Sequence, residues 1–174
     1  MAKSKSLKRF IAAVLASSLL PWIPLSASAV VEKVMEKDYG NYKQNFTYVD
    51  LKGVVNRGFA DDAASDGVGG WADQGPLNDM SCFKDRGVTE YLGVKFDIIE
   101  PNSNGGKSAI VLRGQNDQTV PLEVEIPVNE KCAGLYFFHA SPWLNAKEAV
   151  GSYVLVYETG EQPETPLNGG EEVF

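Results

Sequence analysis

Apolar residues alternate with polar residues or proline at every second position in several segments of this chain. Such a period of two places one face of a β-strand against a core and leaves the other face in water. The two clearest segments are Val120, Leu122, Val124, Ile126 and Val128, and then Val94, Phe96 and Ile98. This spacing does not fit the 3.6-residue repeat of an amphipathic helix, so it predicts strands.

Three short continuous apolar runs occur outside these segments, as expected for strands that are covered on both faces. They span residues 108–113, 135–139 and 153–157. Turn-forming Asn, Asp, Gly and Pro residues separate the segments at roughly ten-residue spacing. The sequence therefore predicts an all-β domain over residues 45–160, folded as an antiparallel β-sandwich or jelly roll.

The N-terminus has the three parts of a secretory signal peptide. A basic start precedes the apolar run Phe10–Leu20, and Ala27-Ser28-Ala29 provides the small residues that signal peptidase accepts. The apolar run is shorter than the about 20 residues that a transmembrane helix needs. We therefore expect that residues 1–29 are a cleaved signal peptide. The mature protein would be secreted or held in the cell envelope, with no membrane insertion after cleavage.

Cleavage after Ala29 would change the size and the charge of the chain. It would leave 145 of the 174 residues and remove the four cations Lys3, Lys5, Lys8 and Arg9, so the net charge would move from −7 to −11. An acidic chain repels phosphate backbones and anionic lipids, which argues against nucleic acid as a partner.

Two segments flank the predicted β domain. Residues 30–44 are polar and mixed and form a lead-in segment. Residues 161–174 form an acidic Pro/Gly-rich tail or an incomplete final strand, and a chain that ends on Val173-Phe174 suggests a truncated piece of a larger protein.

Cys82 and Cys132 would meet an oxidising compartment after export, where a pair of cysteines tends to form a disulfide. Closing a loop of about fifty residues would stabilise the fold by roughly 4 kcal/mol. Neither cysteine lies in a reactive-site signature, so we expect a structural disulfide. His139, the only histidine, ends an apolar run and is expected to be buried with one hydrogen bond.

The segment from Asn56 to Asp79 combines five aspartates, five glycines and Trp71 with little other apolar content. A loop of this length in a compact domain is typically functional or disordered, and a tryptophan in it argues for order. Calcium prefers the oxygen ligands that such a loop offers, and a bound ion would hold the loop in place. The candidate calcium ligands are Asp61, Asp62, Asp66 and Asp79. Side-chain-to-backbone turns at the same aspartates are the alternative.

The order of motifs from Tyr48 to Gly160 resembles that of a known family. The motifs are Asn56-Arg57-Gly58-Phe59, Asp66-Gly67, Gly69-Gly70-Trp71, Asp73-Gln74-Gly75-Pro76, Asn78-Asp79, Gly93-Val94, Phe96-Asp97-Ile98, Asn104-Gly105-Gly106-Lys107, Leu135 to Ala140, Trp143, Gly151 and Tyr153-Val154. They resemble the galactose-binding-like β-sandwich domains of secreted bacterial carbohydrate-active proteins. The resemblance implies a non-catalytic carbohydrate-binding accessory domain that binds a polysaccharide or glycan and is joined to a larger enzyme or wall protein.

Sugar recognition normally uses aromatic faces for the C–H side of the ring and planar polar groups for the hydroxyls. The candidate ligand-binding residues are Trp71, Asp73, Gln74, Asn78, Trp143 and Arg57. Tyr91 and Tyr153 are further aromatic candidates, although core packing is the favoured interpretation of Tyr153. Arg57 has the alternative role of holding the loop through one of the aspartates.

The sequence contains none of the nucleophile, zinc-protease or phosphate-loop motifs that would indicate catalysis. We therefore expect a binding domain rather than an enzyme. A structural or adhesion domain of the cell envelope is the alternative, and a small glycoside hydrolase or lyase is less favoured.

Overall fold

The computed structural model describes residues 5–14, 46–113, 119–132, 134–141 and 149–169. Within these ranges all regular elements are strands, apart from one 3₁₀ turn at Pro101–Ser103. The strands are β1 Lys5–Val14, β2 Gly87–Tyr91, β3 Val94–Ile98, β4 Glu123–Cys132, β5 Ala149–Tyr157 and β6 Glu164–Asn168. The predicted all-β class is confirmed for the described residues.

The six strands form one four-stranded and one two-stranded sheet. The larger sheet has the order β4-β1-β5-β6, and each neighbouring pair is antiparallel. The smaller sheet is the β2–β3 hairpin, in which Tyr91 pairs with Val94 across a two-residue turn. Leu92 and Gly93 have φ values of 51° and 79° in this turn. Two successive positive φ values match the right-handed twist of a hairpin.

Both alternating segments form strands, although Leu122, which was predicted to lie on the buried face, precedes β4 and is 51% exposed. In β4, Glu123 and Glu125 are exposed while Ile126 is buried, and Val124 and Val128 are half-buried. Residues of β3 alternate in the same way and end on buried Ile98. The predicted strand at residues 153–157 is part of β5.

Two of the predicted strands do not form. Residues 108–113 run alongside residue 57 through a single bridge between Arg57 and Ala109, and residues 135–139 lie outside both sheets. The predicted coverage on both faces is also wrong for the second run, because Tyr136, Phe138 and His139 are exposed and only Leu135 and Phe137 are half-buried. An apolar run shows what a segment could bury, but not which partner is present to cover it.

The predicted signal peptide contributes a strand to the full-length chain. β1 lies inside the larger sheet and belongs to the same compact unit as the segments that begin at Tyr48. Residues 15–29, which include the predicted cleavage site, lie outside the described residues. No helix in the described part of the chain has the length and apolar character needed to cross a membrane.

The predicted disulfide is wrong in this structure, because Cys82 and Cys132 are both thiols. Cys82 is exposed just after the aspartate-rich loop, whereas Cys132 is half-buried at the end of β4. A disulfide requires Cα atoms about 4.4–6.8 Å apart, and sequence separation gives no information on that distance.

The most deeply buried side chains of the larger sheet lie on β1 and β4. Leu7 is 1% exposed and Ile126 is 2% exposed, and Val156 of β5 is also buried. Residue 10 of β1 pairs with Ile126 on one side and with Leu155 on the other. The hydrophobic centre of this sheet therefore depends on the inner position of β1.

Replacing Ile126 by alanine is expected to lower the free energy of unfolding of the full-length chain by about 2–5 kcal/mol, because it leaves a cavity at a buried position. Leu122→Ala is the matched control, since this aliphatic residue of the same segment is 51% exposed. We expect the control to change stability by less than about 1 kcal/mol. Urea unfolding of both variants measures the difference, and equal losses would contradict the burial of Ile126.

Candidate functional site

The aspartate-rich loop begins where residues 56 and 57 pair with the extended segment 109–111. The side-chain amide of Asn56 donates from Nδ2 to the carbonyl of Val111 at 2.8 Å, and its Oδ1 accepts from the Val111 N–H at 2.8 Å. The Arg57 N–H donates to the carbonyl of Ala109 at 3.1 Å. The Asn56 amide thus provides the two hydrogen bonds that a neighbouring strand would make, and fixes the start of the loop.

Asp61 is the central residue of the loop and is only 3% exposed. Its Oδ2 accepts from the Gly75 N–H at 2.9 Å, and its Oδ1 accepts from the Ala63 N–H at 3.3 Å. Its own N–H donates to Oδ2 of Asp79 at 3.1 Å. A buried carboxylate requires such partners, so these bonds connect distant parts of the loop through one side chain.

Asp73 plays the same role for the outer turn of the loop. Its two carboxylate oxygens accept from the N–H groups of Asp66 and Gly67, each at 3.1 Å. Its carbonyl accepts from the Ser65 N–H at 3.0 Å. Asp73 itself has a positive φ of 49°, which aspartate tolerates better than most residues.

Asp79 closes the loop through Ser81. Its Oδ1 accepts from the Ser81 hydroxyl at 2.6 Å and from the Ser81 N–H at 2.9 Å. The hydroxyl bond, followed by the backbone bonds, holds the pKa of Asp79 below its ordinary value of 3.8. The carboxylate therefore stays ionised at neutral pH and keeps its acceptor role.

Two glycines allow the backbone to approach Asp61. A Cβ atom on Gly70 would lie 2.9 Å from Cβ of Asp61, and one on Gly69 would lie 2.9 Å from its Oδ1. Gly69 also has a φ of 92°, which favours glycine. Close packing of the chain on the buried Asp61 side chain thus explains the two glycines of the Gly-Gly-Trp motif.

Three carboxylates converge inside the loop. Asp61, Asp66 and Asp73 each place an oxygen within 4.8 Å of the other two. Of the predicted calcium ligands, the structure brings buried Asp61 and exposed Asp66 together, whereas Asp62 and Asp79 are not part of the group, and Asp79 accepts from Ser81. Asp73 joins the group although the sequence placed it among the sugar ligands. Three acidic side chains at this distance repel one another unless hydrogen-bond donors or a cation offset their charge.

Some of the predicted sugar ligands of the loop have exposed side chains, and others have side chains that form hydrogen bonds within the protein. Gln74 and Asn78 are exposed, whereas Asp73 uses its carboxylate within the loop. Trp71 is half-buried, and its indole Nε1 donates to the Asn78 carbonyl at 3.2 Å. Arg57 donates from Nη2 to Oγ1 of Thr119 at 2.5 Å. Trp143 lies outside the described residues.

Four aromatic rings form a patch beside the loop, which we call the aromatic patch: Phe83, Tyr91, Phe96 and Phe138. Phe138 contacts the other three, and it stacks on Tyr91 with ring centroids 5.1 Å apart and an interplanar angle of 9°. Half of the Phe138 side chain nevertheless remains exposed, at 51%. The alternating exposure of residues 135–138 places this ring at the surface.

The patch is joined to the loop through Phe59. The buried Phe59 ring meets Phe83 edge-to-face at 5.8 Å, and the Phe59 carbonyl accepts from the Met80 N–H at 2.8 Å. The Arg86 guanidinium lies 4.7 Å from the centroid of the same ring, a cation–π distance. Loop and patch therefore share one aromatic support.

Tyr91 stays a neutral phenol in this environment. Burial raises the pKa of Tyr91 to about 12, and a hydrogen bond to Asp85 and the negative charge of Asp85 act in the same direction. The phenol donates to the Asp85 carboxylate, which fixes the ring on which Phe138 stacks. Among the sequence candidates Tyr91 was named, whereas Phe138 was missed because its run was expected to be a covered strand.

The predicted burial of His139 is wrong. It is exposed rather than buried, although its Nδ1 lies at hydrogen-bond distance, 3.0 Å, from the Tyr153 hydroxyl. Tyr153 in turn stacks on Phe137 with centroids 4.0 Å apart, and burial raises the pKa of Tyr153 to about 12. This packing agrees with the favoured interpretation of Tyr153 as a core residue.

The Gly70→Ala variant is expected to lose about 1–3 kcal/mol of unfolding free energy, because the added methyl group overlaps the Asp61 side chain. Gly53→Ala is the matched control, since a Cβ atom there meets nothing within 4 Å. We expect the control to shift stability by less than about 1 kcal/mol. Thermal and urea unfolding check both variants, and a neutral Gly70→Ala would contradict the close packing on Asp61.

Comparisons with known proteins find no match for this chain. No family model matches the chain, and neither a curated protein nor a solved structure matches it significantly. The functional proposal therefore depends on the geometry of the chain's own residues.

Proposed function

We propose that this chain is a secreted, non-catalytic carbohydrate-binding domain of β-sandwich or jelly-roll type that binds a glycan on the aromatic patch. The exposed half of Phe138, stacked on Tyr91 at 5.1 Å, is the observation that carries the proposal. The signal-peptide pattern of residues 1–29 supports export. A larger enzyme or wall protein is the expected neighbour.

An aromatic ring at the surface suits a sugar because its face packs against the C–H side of a pyranose. Contiguous exposed aromatic surface on a soluble protein commonly marks a binding site. Phe138 contacts the other three rings of the patch, so its orientation is largely set before a ligand arrives. Prior ordering of this kind lowers the entropic cost of binding.

Polar groups near the loop are candidates for the sugar hydroxyls. Gln74 and Asn78 have exposed side chains, and planar amides both donate and accept hydrogen bonds. Asp73 and Arg57 would instead support the site by holding the loop. The Asp73 carboxylate accepts N–H groups of the loop, and the Arg57 guanidinium donates to Thr119. Trp71 is a second aromatic candidate, held in place by its bond to the Asn78 carbonyl.

Calcium is the cofactor that would fit the loop. The three carboxylates of Asp61, Asp66 and Asp73 offer hard oxygens within 4.8 Å of one another. Several of these oxygens already accept backbone N–H groups, so an ion would add to an ordered loop rather than create it. Its role would be structural.

Phe138→Ala is expected to weaken glycan binding at least about tenfold, because it removes the exposed face of the patch. A glycan array with the purified chain first identifies a ligand, and titration calorimetry then compares the variants. Phe138→Leu keeps apolar contact with the neighbouring rings but lacks a flat face, so it should lose affinity while the melting temperature stays close to that of the parent chain.

Tyr48→Ala is the matched control for this experiment, since Tyr48 is also an exposed aromatic residue but makes no ring contact with the patch in the described structure. It should retain full affinity. If no glycan on the array binds and the chain captures a protein partner, a structural or adhesion domain would be favoured instead. Release of reducing sugar from a polysaccharide would show catalysis and overturn the non-catalytic assignment.

Adding millimolar calcium is expected to raise the melting temperature of the chain, and chelation should reverse the change. The reason is that a cation offsets the repulsion among the three clustered carboxylates. Asp66→Asn should reduce the calcium-dependent shift, whereas Asp62→Asn, at an exposed position outside the cluster, should not. A melting temperature that does not respond to calcium would remove the ion from the proposal.

A further inference from the structure

The inner strand of the larger sheet comes from the segment predicted to be removed on export. β1 pairs with β4 from Lys5 to Ala13 and with β5 from Leu7 to Val14. Among the described residues, β1 is the only strand that pairs with β4. If residues 1–29 are cleaved and leave, β4 loses its strand partner and β5 keeps only β6.

The loss would also uncover apolar side chains. Leu7 and Ile126 are the two most completely buried large side chains described, and Val156 lies on the other side of β1. Two strands with unpaired N–H and C=O groups beside exposed apolar residues form a ready template for another strand. We call the position of β1 between β4 and β5 the strand slot.

The slot does not close by a small adjustment. β1 is antiparallel to both neighbours, so β4 and β5 run parallel to each other. Direct pairing of β4 with β5 would require one strand to move across the full width of β1, about 4.8 Å of extra sheet spacing, and to form a new register. Occupation by another strand keeps both existing registers.

We propose that the strand slot of the exported protein accepts an extended segment of a partner polypeptide, antiparallel to β4 and β5. This inference depends on the signal-peptide cleavage in the proposed function. β1 defines what fits: an apolar residue at the position of Leu7, and a cation that faces Glu125 as Arg9 does at 2.7 Å. Addition of a strand to a sheet is an established mode of peptide recognition.

The chain's own new N-terminus matches the slot less well than β1 does. Its apolar residues come in two adjacent pairs, Val30-Val31 and Val34-Met35, followed by a polar stretch. A strand inside a sheet needs apolar residues at alternate positions on the buried face. We therefore assign the slot to a segment supplied by another polypeptide.

The test uses the full-length chain with a specific protease site inserted after Ser18. After folding, the chain is cut, and a fluorescent peptide of residues 5–14 is added in excess. We expect the labelled peptide to replace the cut fragment, as seen by anisotropy. The melting temperature should rise by about 3–6 °C for each tenfold increase in peptide concentration above the Kd.

Two variant peptides test the chemistry of the slot. Leu7→Asp should abolish uptake, because it places a charge at a position that is 1% exposed. Arg9→Glu should weaken uptake about fivefold, because it faces Glu125 with a like charge. Equal uptake of all three peptides would overturn the proposal.

Loss of the cut fragment with no peptide uptake and an unchanged melting temperature would also overturn it, because the slot would then have closed or been filled by the chain itself. The secreted form that begins at residue 30 provides an independent measurement of uptake without engineering.

Glycan binding measured on the same samples separates the two proposals. If the peptide is taken up but no glycan on the array binds, only the proposed glycan binding is rejected. If a glycan binds but the peptide is not taken up, only the proposed strand slot is rejected.

Discussion

The pairing of β1 with both β4 and β5 holds the larger sheet of this protein together. Each strand of a sheet needs partners for its backbone groups and a cover for its apolar face, and β1 provides both at the centre. Its contribution comes from a segment that also has the composition of a signal peptide. Only residues 10–14 of β1 overlap the apolar run of that pattern. An apolar segment of about ten residues is long enough for a strand and too short for a membrane span.

The aspartate-rich loop is ordered by a different principle. It has little apolar surface to bury, so carboxylates take the place of a core by accepting backbone N–H groups from distant positions. Asp61 acts in the interior and Asp73 in the outer turn. The same packing explains Gly69 and Gly70, because a Cβ atom at either position would lie 2.9 Å from the Asp61 side chain. A cation would strengthen this framework, since the carboxylates already converge.

The prediction of strands succeeded for the two alternating segments and for the continuous run at 153–157, and it failed for the other two continuous runs. β3 and β4 follow their period-two patterns because one face of each strand meets apolar cover while the other meets water. The continuous runs at 108–113 and 135–139 carried no such directional information, and their partners proved to be the Asn56 amide and a group of aromatic rings. Phe138 is therefore a surface residue that composition alone assigns to the interior. The Cys82–Cys132 disulfide failed for a similar reason, because it depends on a distance between strand ends and loops.

By itself the sequence determined the all-β class, the position of the turn-rich loop and the acidic character of the chain, since these follow from local periodicity, from glycine and aspartate content and from charge. Only the tertiary structure decided which aspartates converge, which aromatic ring reaches the surface and which strand fills the centre of the sheet. Those properties depend on contacts that local periodicity does not encode, from Asp61 with Gly75 inside the loop to Arg9 with Glu125 across the sheet. Local patterns limit what each segment can form, while packing selects the partner.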